Sequence, residues 1–418
     1  MAHFVFLPLG SAGDVFPFLG MGRAMMQRGH RVTVVTACLF EKAVCEAGLD
    51  FVPVGEEEDF DRLARDPRLW KMGTGTRLVF EYACKAAEQY FAILEKLRAS
   101  GDGPDLIMAP MTAFAGRMAR EKWGIPLVTV HLQPAALISA WEMPILAPGM
   151  QYLRSAPLWL KKAILRLPNP VDAITRPRLR AICSQIGIEP PRSLSRDWWN
   201  SPDGALLLFP EWFAAPQPDW PEPRLQWDFP LEDLRTELPL SEDLQHFLNG
   251  LPEKPVVITA GSANLQASDH FAALVEGLRL TGKPGVLVTR DLSQLPAVLP
   301  PNMIAVEYVP FGPLLERCAA FVHHGGIGTL AQGFAAGVPQ LIFPLAHDQF
   351  DNADRLERLG AGLSLSKHRL QPIPIAAKLQ ALLSDPSILN AAQGLALRLS
   401  KKRDDSLWRW LEDRAIKA

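Results

Sequence analysis

Short apolar runs bounded by glycine, proline or aspartate recur along the first third of the chain, and helical patterns fill the gaps between them. Phe4 to Leu9 is the first run. It ends at Gly10, and apolar residues at helical spacing follow from Val15 to Gln27. Gly29 stops that helix and leads into the β-branched stretch Arg31 to Thr36, and Asp50 to Val54, Asp105 to Ala109 and Pro126 to Val130 repeat the strand pattern. Such alternation predicts βαβ units and a parallel sheet.

From about 135 to 200 the rhythm breaks into a stretch rich in Pro, Trp, Arg and Leu, which predicts irregular helices. Gly204 to Phe209 returns to the first sheet. Pro216, Pro218, Pro221, Pro223 and Pro230 then punctuate what reads as a stiff extended connection, because proline at this density breaks helix and sheet alike. Alternation resumes with Val256 to Thr259, a helix near 270 to 279, Gly285 to Val288, Met303 to Tyr308, Ala320 to Val322 and Gln340 to Phe343. The pattern therefore predicts two doubly wound, Rossmann-like α/β domains, residues 1–228 and 235–394, facing a cleft.

Length and composition agree with that picture. At 418 residues the chain suits two or three domains, and 48% hydrophobic with 21% charged residues is a globular balance. A net charge of −2 gives no global attraction to nucleic acid. Cys38, Cys45, Cys84, Cys183 and Cys318 are scattered and form no C-x-x-C pair, as in a reducing compartment. The opening Met1-Ala2-His3-Phe4 lacks the basic and cleavage features of a signal peptide. No apolar run reaches the roughly 18 residues of a membrane span. A cytoplasmic protein is the expectation.

Chemistry concentrates in the second half. Phe321-Val322-His323-His324-Gly325-Gly326-Ile327-Gly328-Thr329 reads as a strand, a glycine-rich turn and a helix start. Glycine lets the backbone approach a ligand, and a helix N-terminus offers unpaired N–H groups with partial positive charge, which together make a diphosphate seat. His323 and Thr329 add side-chain donors. Further on, Pro344-Leu345-Ala346-His347-Asp348-Gln349-Phe350-Asp351-Asn352 also joins a strand end to a helix. An adjacent carboxylate and amide suit neighbouring sugar hydroxyls, the carboxylate accepting and the amide both donating and accepting. Each turn alone is equally an ordinary βα connection with a helix cap.

The run from His323 to Asn352 resembles the donor signature of family 1 glycosyltransferases, the GT-B-fold enzymes that use UDP- or dTDP-sugars. The N-terminal Gly10-Ser11-Ala12-Gly13-Asp14-Val15-Phe16-Pro17 is similar to the glycine–aspartate–proline loop of the sterol and antibiotic members. Together with Asp66-Pro67-Arg68-Leu69-Trp70 and Phe209-Pro210-Glu211-Trp212-Phe213-Ala214, these segments resemble the rhamnosyltransferase chains of rhamnolipid synthesis. The resemblance implies that His323 contacts the donor diphosphate and that Gly325, Gly326, Gly328 and Thr329 line it, with His324 variable. It implies that Asp348 and Gln349 hold the sugar, that Ser262 touches phosphate, and that the backbone at Val309 recognises the base. It also implies that Ser11 and Gly13, in the N-terminal loop, contact the donor. The last helices, from about 395 to 418, are implied to cross back to the first domain.

The same resemblance puts Asp14 on the acceptor side as general base or orienting group. An unperturbed aspartate, with a pKa near 4, is a weak base, and burial raises that value. Asp14 is also what a plain helix N-terminus would carry. His30 reads as structural. His131 sits where ligands approach the carboxyl ends of parallel strands, and is a candidate for acceptor contact.

Two motifs point elsewhere and are set aside. Gly10-x-x-Gly13 is not the dinucleotide fingerprint, and no acidic residue closes the second strand. Asp59-Phe60-Asp61 lies in the acidic run Glu56 to Asp61, read as a solvated helix start rather than a metal site, so no metal and no cofactor is expected beyond the nucleotide sugar as co-substrate.

Between Arg154 and Asp197 nine basic residues face three acids. Leu158-Trp159-Leu160-Lys161-Lys162 mixes apolar and basic residues as an interfacial helix does. The segment reads either as a helical cap that packs its apolar residues inward, or as an apolar acceptor tunnel with a positive rim. In the second case Trp159 contacts the acceptor, and the enzyme collects it at the inner membrane surface. The combined expectation is an inverting, metal-independent hexosyltransferase acting on a hydrophobic alcohol such as a 3-hydroxy fatty acid, a sterol or a flavonoid. A nucleotide-sugar epimerase on the same fold, and a non-catalytic partner of a transferase, stand beside it.

Overall fold

A computed structural model of the chain describes residues 1–56, 62–63, 65–71, 73–231, 239–261, 267–400 and 404–416. The chain divides into two compact units. The first comprises Met1–Pro144, Gly149–Leu234 and Arg403–Ala418, and the second comprises Ile145–Pro148 and Arg235–Lys402. The acidic run containing Asp59 and Asp61, and the expected phosphate contact Ser262, lie outside the described residues.

The first unit holds β1 (His3–Phe6), β2 (Arg31–Thr36), β3 (Asp50–Pro53), β4 (Leu106–Ala109), β5 (Leu127–His131), β6 (Ala205–Leu208) and β7 (Arg224–Trp227). They form one sheet in the order β3-β2-β1-β4-β5-β6-β7, every neighbour parallel. Every residue of β1, β4, β5 and β6 is buried, which is why these strands appear in the sequence as unbroken apolar runs. The 26-residue helix Thr74–Ala99 buries Phe80, Tyr90, Phe91 and Leu94 in one core with Leu179, Ile182 and Cys183 of helix Pro170–Ile186. The Tyr90 hydroxyl donates to the Pro8 carbonyl at 2.7 Å, tying that core to the loop after β1.

The proline-rich stretch is not purely a connection, because it contains β7. Its prolines flank Arg224–Trp227 instead of interrupting it, and the strand lies at the sheet edge, where proline is tolerated. The carbonyl of Pro223 accepts from the Ala205 amide at 3.0 Å, so even a flanking proline serves the ladder.

The second unit holds β8 (Val256–Thr259), β9 (Gly285–Val288), β10 (Met303–Val306), β11 (Ala320–His323), β12 (Gln340–Ile342) and β13 (Gly362–Ser364), in the parallel order β10-β9-β8-β11-β12-β13. β13 went unread in the sequence because it is three residues long with a single large apolar side chain, Leu363. Each sheet reverses its winding once, at β1/β4 in the first unit and at β8/β11 in the second. In open α/β sheets a ligand crevice opens at such a point, beyond the carboxyl ends of the strands.

The return to the first unit falls later than about residue 395. Helix Pro386–Leu399 stays with the second unit, and helix Ser406–Ile416 alone belongs to the first. It is held by Glu412, whose carboxylate accepts a fork from Arg28 (2.7 and 3.1 Å) and meets His30 Nε2 at 3.1 Å. Arg414 stacks 3.5 Å over Trp410 and donates to the Asp203 carbonyl at 2.9 Å. Gly204 lies beneath this stack, where a Cβ would fall 2.8 Å from Trp410 and 2.9 Å from Arg414. Gly204→Ala is therefore expected to lower the unfolding free energy by about 1–3 kcal/mol, measured by urea titration, since the packed indole must shift to admit a methyl group.

Candidate active site

In the second unit the chemistry-bearing turns follow β8, β11 and β12. His323 is the last residue of β11 and is fully buried. Its Nε2 pairs with Gln340 Oε1 at 2.8 Å, and its Nδ1 accepts from the Gly325 amide at 3.1 Å. A ring nitrogen that accepts carries no proton, so His323 is the neutral Nε2–H tautomer. Burial first, and then the neighbouring His324, lower its pKa to about 3. This corrects the expected role. With both nitrogens spent inside the protein, His323 has no donor left for a diphosphate, and it serves instead to anchor the glycine turn to β12.

His324 is the histidine that remains uncommitted. Its ring lies between the backbones of Gly261, after β8, and Gly326, after β11. A Cβ on Gly326 would fall 2.6 Å from His324 Nε2, and one on Gly261 would overlap the ring outright. Nδ1 is enclosed with no hydrogen-bond partner among the described residues, and burial lowers the pKa to about 4. A polar atom without a partner in such a place marks an incomplete site.

Gly325, at φ +94°, takes a left-handed conformation in which a Cβ would lie 2.7 Å from Ile342. Gly326 is the N-cap of helix Ile327–Ala336 and no side chain caps it, so its first-turn amides stay available. Gly328 is exposed and Thr329 half-buried on that turn. Val309, just after β10, is buried in the core, leaving only its backbone for recognition.

The third turn is wired differently from its expected role. The Gln349 side-chain oxygen accepts from the amides of Leu345 (2.7 Å) and Ala346 (3.0 Å), so only its NH₂ end can address a ligand. His347, at φ 57°, holds the left-handed conformation that swings Asp348 to the helix N-cap. Asn352 went unread as a functional residue. Its Nδ2 donates to the Gly325 carbonyl at 2.9 Å and to Asp348 Oδ2 at 2.7 Å, joining the glycine turn to the aspartate. The signal was present in the sequence, since Asn352 stands four residues after Asp348, one helical turn on. Next to it, fully buried Asp351 pairs with Arg355 at 2.6 Å and accepts from the Ile145 amide at 3.0 Å, which fastens Ile145–Pro148 to this unit.

In the first unit, the loop after β1 leads into helix Ala12–Gln27. Asp14 Oδ2 accepts from the Ser11 amide (2.8 Å) and the Ser11 hydroxyl (3.0 Å), the reciprocal half of a capping box. Burial raises its pKa above the usual carboxylate value, opposed by the two Ser11 bonds. A Cβ on Gly10 would collide with the Asp14 carboxylate, so the glycine makes room for it. Gly13 is exposed, with only Ser11 near a built Cβ. At the end of β5, His131 is buried and its Nε2 meets Asn200 Oδ1 at 2.7 Å, while Nδ1 has no partner among the described residues. Burial lowers its pKa to about 4. Asn200, 69 residues along, gave no sequence signal. Trp159 is 70% exposed. Among the described residues no cluster of His, Cys, Asp or Glu is arranged to hold a metal ion.

Residues 4–137 match the model of the glycosyltransferase family 28 N-terminal domain, and residues 285–401 match that of the erythromycin biosynthesis protein CIII-like C-terminal domain. A sterol 3-beta-glucosyltransferase of Arabidopsis thaliana is 28% identical, over 88% of this chain and 60% of its own length. An O-mycaminosyltylonolide 6-deoxyallosyltransferase of Streptomyces fradiae is 26% identical over 95% of this chain and 93% of its own. The glycosyltransferase VinC, solved in complex with dTDP, superposes with a TM-score of 0.69 at 21% identity, each chain covered completely. The chain spans about 60% of the plant relative's length. Two parallel Rossmann-like sheets with these structural matches define the GT-B fold, and the named relatives are glycosyltransferases.

The two adjacent histidines should separate cleanly. His323→Ala strands the Gly325 amide and the Gln340 side chain in the core, and is expected to lower the unfolding free energy by about 2–5 kcal/mol. His324→Ala removes no hydrogen bond and should cost less than about 1 kcal/mol in the same denaturant titration.

Proposed function

We propose that the chain transfers a sugar from a UDP- or dTDP-activated donor to the hydroxyl of a hydrophobic acceptor, with inversion at the anomeric carbon and without a metal. The observation that carries the reading is the uncommitted His324, set between two glycine backbones beside an uncapped helix N-terminus at the β8/β11 switch point. Backbone amides, the helix dipole and a neutral imidazole N–H suit a diphosphate, and they favour the charge that grows on it as the sugar leaves. Asp348, held by Asn352, accepts from sugar hydroxyls, while the Gln349 NH₂ donates to them.

At the acceptor side, the alcohol oxygen attacks the anomeric carbon as the carbon–oxygen bond to the diphosphate breaks. Asp14 receives the alcohol proton. Burial strengthens it as a base, and the Ser11 bonds keep it aimed while leaving Oδ1 free of any bond to Ser11. The named relatives are a sterol 3-beta-glucosyltransferase and an O-mycaminosyltylonolide 6-deoxyallosyltransferase, and a sterol is a large apolar alcohol. Within that range the resemblance to rhamnolipid rhamnosyltransferases favours dTDP-rhamnose and a 3-hydroxy fatty acyl acceptor. Transfer without metal is expected to persist in EDTA.

Two experiments test the assignments. Calorimetry on His324→Ala should show UDP or dTDP affinity reduced about tenfold to a hundredfold, the worth of one bond to a charged group. Unchanged affinity would remove His324 from the donor site. Asp14→Asn should leave donor affinity nearly intact and lower kcat by about 10²–10⁴ on an aliphatic alcohol. The acid limb of the wild-type pH–rate profile should lie above the ordinary carboxylate range, because the raised pKa keeps Asp14 protonated, hence unable to accept, to higher pH. That limb should vanish in Asp14→Asn. Near-wild-type turnover would reduce Asp14 to a helix cap and leave His131 as the next proton acceptor.

A further inference from the structure

Helix Leu158–Leu165 leaves aromatic and aliphatic side chains in water. An amphipathic surface helix turns its apolar stripe to the core and its charges to water. Here the one buried residue is Lys161, whose ammonium donates to the carbonyls of Trp141 and Arg154, both at 3.2 Å. Leu160, Ile164 and Leu165 are half-buried, while Leu158 is 36% and Trp159 70% exposed. The adjoining turns continue the surface, with Tyr152 77% and Leu167 63% exposed. The reading in which this stretch packs its apolar residues inward holds for helix Pro170–Ile186, which buries Val171, Leu179 and Ile182, and only in part for Leu158–Leu165, where Leu158 and Trp159 stay exposed.

Charge decides what covers this face. No acidic residue occurs between Glu142 and Asp172, while Arg154, Lys161, Lys162 and Arg166 all do. Lys162 rides 4.3 Å over the Trp141 ring, so cation and aromatic are interleaved. Protein interfaces are depleted in lysine, and a two-fold contact with a second copy would set this cationic patch against itself. Aromatic and aliphatic side chains beside exposed cations such as Lys162 and Arg166 are what the headgroup layer of an anionic bilayer accommodates, with indole and phenol at the interface and ammonium and guanidinium on the lipid phosphates. Among the described residues no helix is long and apolar enough to cross a membrane, so the contact is one of lying on the surface.

We propose that the face carrying Tyr152, Leu158, Trp159, Lys162, Arg166 and Leu167 docks on the headgroup region of a bilayer containing anionic lipid. The test uses the full chain and sucrose-loaded vesicles, of phosphatidylcholine alone and of phosphatidylcholine with phosphatidylglycerol. Binding should favour the mixed vesicles and weaken as salt is raised. The double variant Trp159→Ser/Leu167→Ser should lower the partition coefficient about tenfold or more, and Lys162→Glu/Arg166→Glu about tenfold, with unchanged circular dichroism. Brominated lipid should quench tryptophan emission in the wild type and quench it less in Trp159→Phe. Equal partitioning of wild type and both variants, or no binding to either vesicle, overturns the proposal. So does a concentration-dependent dimer, seen by sedimentation velocity, that Trp159→Ser/Leu167→Ser abolishes while vesicle binding is absent.

Discussion

A fully buried imidazole with both nitrogens bonded sets the shape of the second unit's functional edge. His323 joins three things at once: the end of β11, the start of β12 through Gln340, and the amide of Gly325 in the turn that follows. Because it is neutral, it fills the position without placing a charge in the core, and because it is saturated, it fixes the turn rigidly. The left-handed Gly325, the available helix N-terminus after Gly326 and the placement of His324 outside the core all follow from that anchor. Asn352 extends the same framework by tying the Gly325 carbonyl to Asp348. This edge is a preorganised lattice of backbone and amide groups, of the kind that would meet a developing charge without reorganising.

The first unit uses a lighter version of the same device. Ser11 donates twice to Asp14, and Tyr90 holds the carbonyl of Pro8 just ahead of that loop. The carboxylate is at once a helix cap and the strongest candidate for a base, and the two roles do not compete. Both Ser11 bonds fall on Oδ2, so capping orients the group while burial strengthens it. The Asp14 loop after β1 and the glycine turn after β11 lie at the single reversal of each sheet, a placement dictated by topology more than by any one residue.

Most of this architecture was legible in the chain because parallel strands buried on both faces leave continuous apolar runs. The elements that went unread lack that imprint: β7 is an edge strand with two polar residues between prolines, and β13 carries one large apolar side chain. The glycine turn and the Asp348–Gln349 turn both lie where the sequence pattern put them, between the end of a strand and the start of a helix. Role assignment within them was harder. Adjacent histidines in a sequence look alike, and only the alternation of the strand decides which ring enters the core and which leaves it. Likewise nothing in the spelling of Gln349 says that its oxygen is consumed by two amides, or that His131 finds Asn200 across 69 residues. Long-range partners of polar side chains leave no periodic trace.

Four residues from the first half of the chain, Ile145–Pro148, are part of the second unit, where the Ile145 amide donates to the buried Asp351 carboxylate. The second unit is thus not a contiguous stretch of sequence, although its family match begins only at residue 285. Recombination between related enzymes at the proline-rich junction would separate this clip from its native acceptor. A hybrid would inherit Asp351 and Arg355 from one parent and the segment that completes their solvation from the other. Natural exchange of donor halves, and laboratory chimeras alike, are thereby constrained to parents whose clip and aspartate still fit one another.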